Sequence, residues 1–381
     1  MLVMESTALL LIGVIACFSI NVSFDLPSAN ENIDNVVSLN IENANIGQII
    51  LPTMHGAILE TNINRDDDGG IYAELIYNRA FQGSISLDGW SLFWQGSIAA
   101  STIVPLSSAL PVQLRYALIT NSTLTSDFRN SGFYGMNIQA RNYTARFFYR
   151  PLSGAYVASG KLNIGFSNSS GQIIYGMSAI DVFKTLIDIG FYFSFTIPVY
   201  SSAPITQNFF FIEFPPGSKG DFEFNLISCF SPTYKNRPNG ARIDIAQAFA
   251  DLKPGYVRLP GGRRGTWTGY DTKGFGLIEL LTFVVDIGAT PVLAVYVEYS
   301  LDRKAVPPDQ LQPYIDEVIK ELDFLTASAS NNRMGALRVR LDRSQPFDIK
   351  YVGIGNEDWI DPASSSYNHR WSAFYNALSQ K

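Results

Sequence analysis

A short polar segment after an apolar run is the strongest candidate for chemistry in this sequence. The run 349–354 predicts a buried strand, and Asn356, Glu357, Asp358 and Trp359 follow it after one glycine. Glycosidic bond hydrolysis needs one carboxylic acid that protonates the departing oxygen and a second carboxylate across the scissile bond. A Glu held against an amide and an aromatic ring, away from water, can keep its proton at neutral pH. The segment therefore predicts Glu357 as a proton donor, although a surface acid at a strand end would show the same pattern.

Other catalytic chemistries lack the residues they need. The sequence has two histidines, His55 and His369, and neither lies near a Ser or Cys in a nucleophile turn. No Cys/His spacing fits zinc, and the glycine-rich segment 261–266 lacks the Gly-Lys-Ser/Thr of a phosphate-binding loop. The acidic run 66–68 lacks the Asp/Asn alternation and closing Glu of a calcium loop, which favours a solvated turn. We therefore predict no cofactor and no metal.

Strands and helices alternate in two parts of the chain, and this alternation is what would position Glu357. Apolar strands are expected at 49–60, 256–259, 291–296 and 349–354, and helices at 71–81, 245–252, 274–287 and 315–325. Apolar strands that alternate with helices indicate a parallel sheet covered by helices. In a parallel barrel the active site lies at the carboxyl ends of the strands, which is where Glu357 would be.

The middle of the chain has a different pattern. Segments 112–118, 191–197 and 222–226 alternate apolar and polar residues between Gly, Ser, Asn and Pro clusters, which predicts a β-sandwich. The predicted fold is α/β with a β insertion: the first four strands of a (β/α)8 TIM barrel, interrupted by the sandwich after the first strand and helix. A complete barrel needs about 250 residues, so we expect only its first half. The predicted organisation is residues 1–23 as signal peptide, 24–83 as the start of the barrel (strand 1 and helix 1), 84–235 as sandwich, and 236–381 as barrel strands 2–4 with their helices.

Residues 1–23 contain an apolar run, 8–18, too short for a comfortable membrane span and placed where a signal peptide would be. The stretch before it carries Glu5 and no Lys or Arg, so a buried or anchoring N-terminal segment is the alternative. Outside the leader, three glycosylation sequons, at Asn121, Asn142 and Asn168, favour a secretory route. We predict a secreted, extracellular glycoprotein with no membrane association after the leader is removed.

Composition limits the classes of partner. Hydrophobic residues make up 46% of the chain and charged residues 16%, which supports packed cores and argues against disorder. The net charge is −6 and no block of basic residues appears, which argues against nucleic-acid binding. The aromatic share of 13% suits β-sheets and also sugar binding, although core packing explains most such rings.

Six segments, in order, resemble the fungal-type α-L-arabinofuranosidases of glycoside hydrolase family 51. They are Met54-His55-Gly56, residues 69–76, Asn78-Arg79-Ala80-Phe81-Gln82, residues 232–240, Arg258-Leu259-Pro260-Gly261-Gly262 and Gly355-Asn356-Glu357-Asp358-Trp359. The resemblance extends from residue 47 to the C-terminus and is weakest in the sandwich. Several ordered motifs are far more specific than any one of them.

The resemblance implies a retaining (β/α)8 hydrolase that removes terminal arabinofuranose from plant cell-wall arabinan or arabinoxylan. It implies that Glu357 is the acid/base and that Asn356 holds the sugar 2-hydroxyl. It further implies that Glu60 binds substrate and that Arg258 orients the nucleophile. The sandwich resembles a carbohydrate-binding module.

The sequence also departs from the family pattern. The family's nucleophile is a Glu at the end of strand seven, whereas Lys381 follows strand four, so we expect the chain as given to be inactive. Arg263 and Arg264 stand where the family has Asn-Asn and a longer loop, and Glu298 stands where it tends to have a small residue. The alternatives are a non-catalytic carbohydrate-binding protein that uses residues 84–230, and an incomplete gene model.

Overall fold

The computed structural model describes residues 51–59, 67–81, 87–93, 97–101, 113–118, 124–182, 189–203, 207–259, 274–300, 304–356, 358 and 366–381. All of these residues belong to one compact unit, Leu51–Lys381. The predicted signal peptide at 1–23, Glu60 and Glu357 lie outside the described residues, and so do Arg263 and Arg264. In the part of the chain that is described, no helix has the length and apolar character needed to cross a bilayer.

The described strands are distributed along the whole unit. In chain order they are β1 (Gly56–Ile58), β2 (Trp90–Leu92), β3 (Ser97–Ser101), β4 (Gln113–Leu118), β5 (Ser126–Asn130), β6 (Asn142–Pro151), β7 (Lys161–Asn168), β8 (Ile174–Asp181), β9 (Phe191–Pro198), β10 (Asn208–Phe214), β11 (Gly220–Phe230), β12 (Tyr256–Leu259), β13 (Thr290–Val295), β14 (Tyr299–Ser300), β15 (Lys304–Ala305) and β16 (Tyr351–Ile354). The α-helices are α1 (Ile243–Leu252), α2 (Leu277–Asp286), α3 (Gln312–Thr326), α4 (Arg333–Arg340) and α5 (Ser366–Leu378).

Four strands form a parallel sheet in the order β1-β12-β13-β16. Each of them falls within or close to a segment for which the sequence predicts a strand. Neighbours in the sheet follow one another in the α/β part of the chain, with helices in the connections after β12 and β13. Such connections are expected when parallel strands are joined by crossover helices.

The two faces of the parallel sheet have different surroundings. Val257, Leu259, Leu293 and Val295 are buried in a cluster with the apolar sides of the helices. Because side chains alternate along a strand, the intervening residues occupy the opposite face. On that face Ile58 is 57% exposed and Tyr351 50% exposed, and the register places Ile58 beside Arg258.

Helix α3 shows how the sequence pattern produces this packing. Its buried residues Ile315, Val318, Leu322 and Leu325 recur at helical spacing and face the same apolar cluster. Pro313 lies in the first turn, where a missing backbone N–H is tolerated.

The strands β2–β11 form two five-stranded antiparallel sheets, ordered β2-β5-β10-β7-β8 and β3-β4-β11-β6-β9. Rings from the two sheets meet in one shared core. The pairs are Phe128–Phe224 at 5.1 Å, Tyr143–Phe166 at 4.9 Å and Phe214–Phe222 at 4.6 Å between ring centroids. Much of the aromatic content of the chain therefore fills the interior of this sandwich.

The prediction of a helix at 71–81 is wrong. This segment is an extended connection followed by a turn, with isolated antiparallel bridges from Tyr72 to Ala241 and from Glu74 to Phe230. Its apolar spacing resembles that of a helix, but its backbone groups bond to distant parts of the chain instead of to the preceding turn. Tertiary partners thus override the local pattern.

The segment 232–240, one of those that carry the family resemblance, joins the sandwich to the α/β part. Arg237 donates from Nε and Nη2 to the carboxylate of Asp286 on α2, at 2.8 Å each. Arg146 on β6 donates from Nη2 to Asn239 Oδ1 at 2.7 Å. The motif therefore has a structural role, because it ties helix α2 and strand β6 to the same short connection.

Candidate functional site

Two of the predicted site residues meet at the carboxyl end of the parallel sheet. Arg258 lies near the end of β12, and its Nη2 donates to Oδ1 of Asn356, just after β16, at 2.8 Å. Strand β13 lies between these two strands, so the arginine side chain extends across one whole strand to reach the amide. Both residues are half-buried. The structure thus brings Arg258 and Asn356 together, while Glu357 and Glu60 lie outside the described residues.

The residues of this sheet face are small where the arginine passes. A Cβ placed on Gly353 would lie 3.9 Å from Arg258 Nε and 3.9 Å from the Cα of Ala294. Gly355 then turns the chain with a φ of 89°, a conformation that favours glycine, and its N–H donates to Val295 O at 3.0 Å. A side chain at position 355 would overlap the carboxylate of Asp358. Gly355 is therefore required for the turn after β16, whereas a Cβ at Gly353 would make only ordinary contacts.

Asp358, which follows position 357 in the sequence, is held by Arg370 on α5. This guanidinium is fully buried, and its Nη1 donates to Asp358 Oδ1 at 2.6 Å and to Val297 O at 2.9 Å. Its Nε and Nη2 donate to Ser366 Oγ at 3.3 and 3.2 Å. Asn356 and Asp358, the two neighbours of Glu357, are thus held by separate arginines.

Sequence reasoning missed Arg370. The only signal was the pair Ser366 and Arg370, which lie four residues apart and so face the same side of a helix. A second anchor of the same segment, Tyr367, was also missed. Its hydroxyl donates to Ile354 O at 2.8 Å, at the end of β16.

Glu298 follows β13 at the same edge of the sheet. Its φ is 62°, in the left-handed region, and its carbonyl accepts from Val306 N at 3.1 Å. The pKa of the Glu298 carboxyl is raised from its ordinary value of 4.5 to about 7, chiefly by burial and also by the negative charge of Glu317, while Arg370 opposes the rise. A partly buried acid that changes charge near neutral pH therefore lies beside the arginine that holds Asp358.

This raised pKa predicts a pH dependence of stability. Between the ordinary value of 4.5 and about 7, the folded chain keeps a proton on Glu298 that the unfolded chain has lost. The free energy of unfolding therefore falls as pH rises through that window. We expect the wild-type protein to lose more thermal stability between pH 5 and pH 8 than Glu298→Gln, measured by circular dichroism melts. Asp309→Asn, at an exposed acid on the turn before α3, is the control, and an equal loss in Glu298→Gln and wild type would contradict the prediction.

Two cavities with described linings lie away from this edge. One of about 190 Å³ is lined by residues that include Arg237, Glu279 and Asp286, and the other of about 820 Å³ by residues that include Tyr134 and Arg242. Neither lining includes Arg258 or Asn356. Within the described residues, no group of three His, Cys, Asp or Glu side chains is placed to hold a metal ion.

Comparison with known proteins gives consistent relatives. Residues 262–381 match the family model described as the alpha-L-arabinofuranosidase 1 domain. "Probable alpha-L-arabinofuranosidase A" of Aspergillus flavus is 29% identical over an alignment 386 residues long, gaps included. The alignment covers 93% of this chain and 60% of that protein. Alpha-L-arabinofuranosidase A of Aspergillus kawachii is 29% identical over 359 residues, which cover 86% and 56%. The chain thus spans about 60% of the length of the first of these relatives.

A solved structure agrees with the sequence matches. The arabinose-bound α-L-arabinofuranosidase MgGH51 superimposes with a TM-score of 0.78 at 31% identity, covering 86% of this chain and 57% of that one. The same family thus emerges from ordered sequence motifs, from curated relatives and from a three-dimensional match. Over the part of their length that it covers, the chain is similar in sequence and in fold to the α-L-arabinofuranosidases of glycoside hydrolase family 51.

Proposed function

We propose that this chain carries the acid/base side of the active site of a retaining α-L-arabinofuranosidase, with Glu357 as the acid/base. The observation that carries the proposal is the 2.8 Å hydrogen bond from Arg258 to Asn356 at the carboxyl ends of the parallel strands. It fixes the residue directly before Glu357 at the edge of the sheet where barrel enzymes have their active sites. Arg370 fixes the residue directly after it.

The roles follow from the chemistry of each side chain. Glu357 protonates the departing glycosidic oxygen and then, as a base, activates the water that releases the sugar. Oδ1 of Asn356 accepts from Arg258, so its Nδ2 group is the part of this amide that donates to a sugar hydroxyl. Arg258 supplies positive charge beside the partner carboxylate, which a retaining mechanism requires about 5–5.5 Å from the acid/base.

Glu60 is proposed to bind substrate at the same edge. Leu59, immediately before it, donates from its backbone N–H to Arg258 O at 3.0 Å. Leu59, the last described residue of this segment, therefore lies next to Arg258. This supports a common site for Glu60, Arg258 and Asn356.

The parallel sheet is proposed to be the first half of a (β/α)8 barrel. Its four strands follow chain order, and the described helices contribute to the apolar cluster that covers Val257, Leu259, Leu293 and Val295 on one face. The opposite face bears Arg258 together with the exposed side chains of Ile58 and Tyr351, as the inner wall of a barrel would. The antiparallel sandwich is proposed to be a carbohydrate-binding insertion.

The substrates are proposed to be arabinan or arabinoxylan of plant cell walls, attacked at terminal arabinofuranose by a secreted protein. Relatives named for arabinofuranosidase activity support the sugar. The sequon residue Asn142 is exposed at the start of β6, where a glycan could be attached, which supports secretion.

The test is hydrolysis of an aryl α-L-arabinofuranoside by the protein expressed from its complete gene. We expect turnover with retained configuration at the anomeric carbon, followed by proton nuclear magnetic resonance of the first product formed. Residues 1–381 expressed alone should show no turnover above background, because Glu357 would lack its partner carboxylate. An inverted product would contradict the retaining mechanism, and preference for an aryl xylopyranoside would contradict the sugar.

A further inference from the structure

A second binding site is suggested by the larger cavity, which we call the side cleft. It has a volume of about 820 Å³ and is lined by Phe133, Tyr134, Asn137, Gln139, Arg141 and Arg242, among others. Its volume is within the range of about 300–1,000 Å³ that is usual for ligand sites. We propose that the side cleft binds a neutral oligosaccharide, separately from the strand-end site. The choice of a plant-wall oligosaccharide rests on the proposed function.

The loop that forms one wall of the side cleft is held in place from within the sandwich. Met136 and Ile138 are buried in the sandwich core, and the Met136 carbonyl accepts from Asn208 Nδ2 at 2.8 Å. The hydroxyl of buried Tyr143 accepts from Gln139 N at 2.8 Å. A wall that is already ordered loses little conformational entropy when a ligand binds.

This ordered loop presents an aromatic ring to water. Tyr134 is 69% exposed and lies two residues before the buried Met136. Gly132 and Gly135 flank it with φ values of 69° and 89°, which favour glycine and let the loop turn sharply on either side of Phe133 and Tyr134. Most rings of the sandwich are packed in its core, whereas this ring lies on an anchored loop in the lining of the cleft, where it can contact a ligand.

The polar groups beside the ring match the chemistry of sugars. A sugar ring has apolar C–H faces that pack on aromatic rings and hydroxyls that bond to amides. Gln139 Nε2 donates to Asn137 Oδ1, which orients the two amides beside Tyr134. Arg242 donates from Nε to Asp244 at 3.1 Å, so its charge is balanced within the cleft lining. The cleft thus combines an exposed aromatic ring with oriented amide groups, and the guanidinium of Arg141 adds a further hydrogen-bond donor to its lining.

A second site of this kind would act on a polymer through proximity. A chain held at the side cleft stays near the protein after each cleavage, which raises the effective concentration of its remaining termini.

The experiment is calorimetric titration of the full chain with an arabinoxylan-derived oligosaccharide. Tyr134→Ala should weaken binding by about tenfold or more, as expected for loss of a central aromatic contact. Tyr134→Phe keeps the stacking ring and should retain most of the affinity. Tyr200→Ala removes a tyrosine that is 82% exposed on the sandwich but absent from the cleft lining, so it should bind as wild type. Thermal melts of every variant check that each one is folded.

The outcomes separate this proposal from the proposed function. The proposal that the side cleft binds an oligosaccharide would be overturned if Tyr134→Ala bound with wild-type affinity, or if the wild-type chain did not bind at all. Loss of binding in Asn356→Ala but not in Tyr134→Ala would place the ligand at the strand ends, which also overturns it and leaves the proposed function intact. Loss in Tyr134→Ala alone supports the side cleft, even if the aryl arabinofuranoside assay shows no hydrolysis.

Discussion

Glu357→Gln is expected to lower turnover of aryl α-L-arabinofuranosides by about 10²–10⁴-fold in the complete enzyme. Glutamine has nearly the shape of glutamate but cannot donate a proton to the departing oxygen. The loss should therefore be greatest for substrates with poor leaving groups, which depend most on protonation. Turnover numbers measured across a series of aryl substrates would show this trend. The variant should leave the neighbours of residue 357 in place, because Arg258 and Arg370 hold them.

A small anionic nucleophile provides a second readout for the same variant. Azide needs no general base, so it should restore turnover of an activated substrate in Glu357→Gln and give a glycosyl azide of retained configuration. Asp348→Asn is a matched control, because Asp348 is a largely exposed acid shortly before β16. Wild-type turnover in Glu357→Gln would remove Glu357 from the mechanism and with it the central element of the proposed function.

Arg370→Met should destabilise the fold by about 3–5 kcal/mol, the usual effect of removing one partner from a buried ion pair. Arg370 is fully buried and the Asp358 side chain is only 7% exposed, so the variant leaves a carboxylate without its counter-charge. The Val297 carbonyl and the Ser366 hydroxyl lose a donor in the same change. Urea denaturation at neutral pH would measure the loss as a shift of the unfolding midpoint.

Two further variants make this prediction specific. Adding Asp358→Asn to Arg370→Met should recover part of the stability, because the buried charge is removed. Arg242→Met breaks the ion pair between Arg242 and Asp244, in which the two side chains are 42% and 63% exposed. Because this pair lies in solvent, the variant should change the free energy of unfolding by less than about 1 kcal/mol. Equal losses in Arg370→Met and Arg242→Met would show that burial of the Arg370 pair does not matter.

The parallel sheet was predictable because its strands are apolar and its helices carry apolar residues at regular spacing. Strand β13 and helix α3 both lie where the sequence predicts them, since each buries one continuous face or stripe. The segment 71–81 was not predictable in the same way. Its conformation depends on backbone partners near residues 230 and 241, which local spacing does not reveal.

The residues around the candidate site also differ in how far the sequence alone could identify them. The family resemblance named Asn356 and Arg258 as site residues, and the structure joins their side chains by a hydrogen bond, while their roles stay predictions. Arg370 could not be predicted, because its importance comes from contacts to Val297 and Asp358, residues distant from it in sequence. Glu298 was noticed only as an unusual residue. Its raised pKa depends first on burial and then on Glu317 and Arg370, and these surroundings exist only in the folded chain.

The connections between the sandwich and the parallel sheet have a consequence for engineering. Glu74 accepts hydrogen bonds from Ile76 N and, in the last sandwich strand, from Cys229 N at 2.8 Å, while Arg146 and Arg237 tie the segment 232–240 to both parts. Cutting the chain at residues 84 and 230 would sever backbone pairing as well as side-chain contacts. The sandwich therefore cannot be exchanged as an independent domain. A chimaera that transfers it to another protein would also have to include residues 71–81 and 232–240.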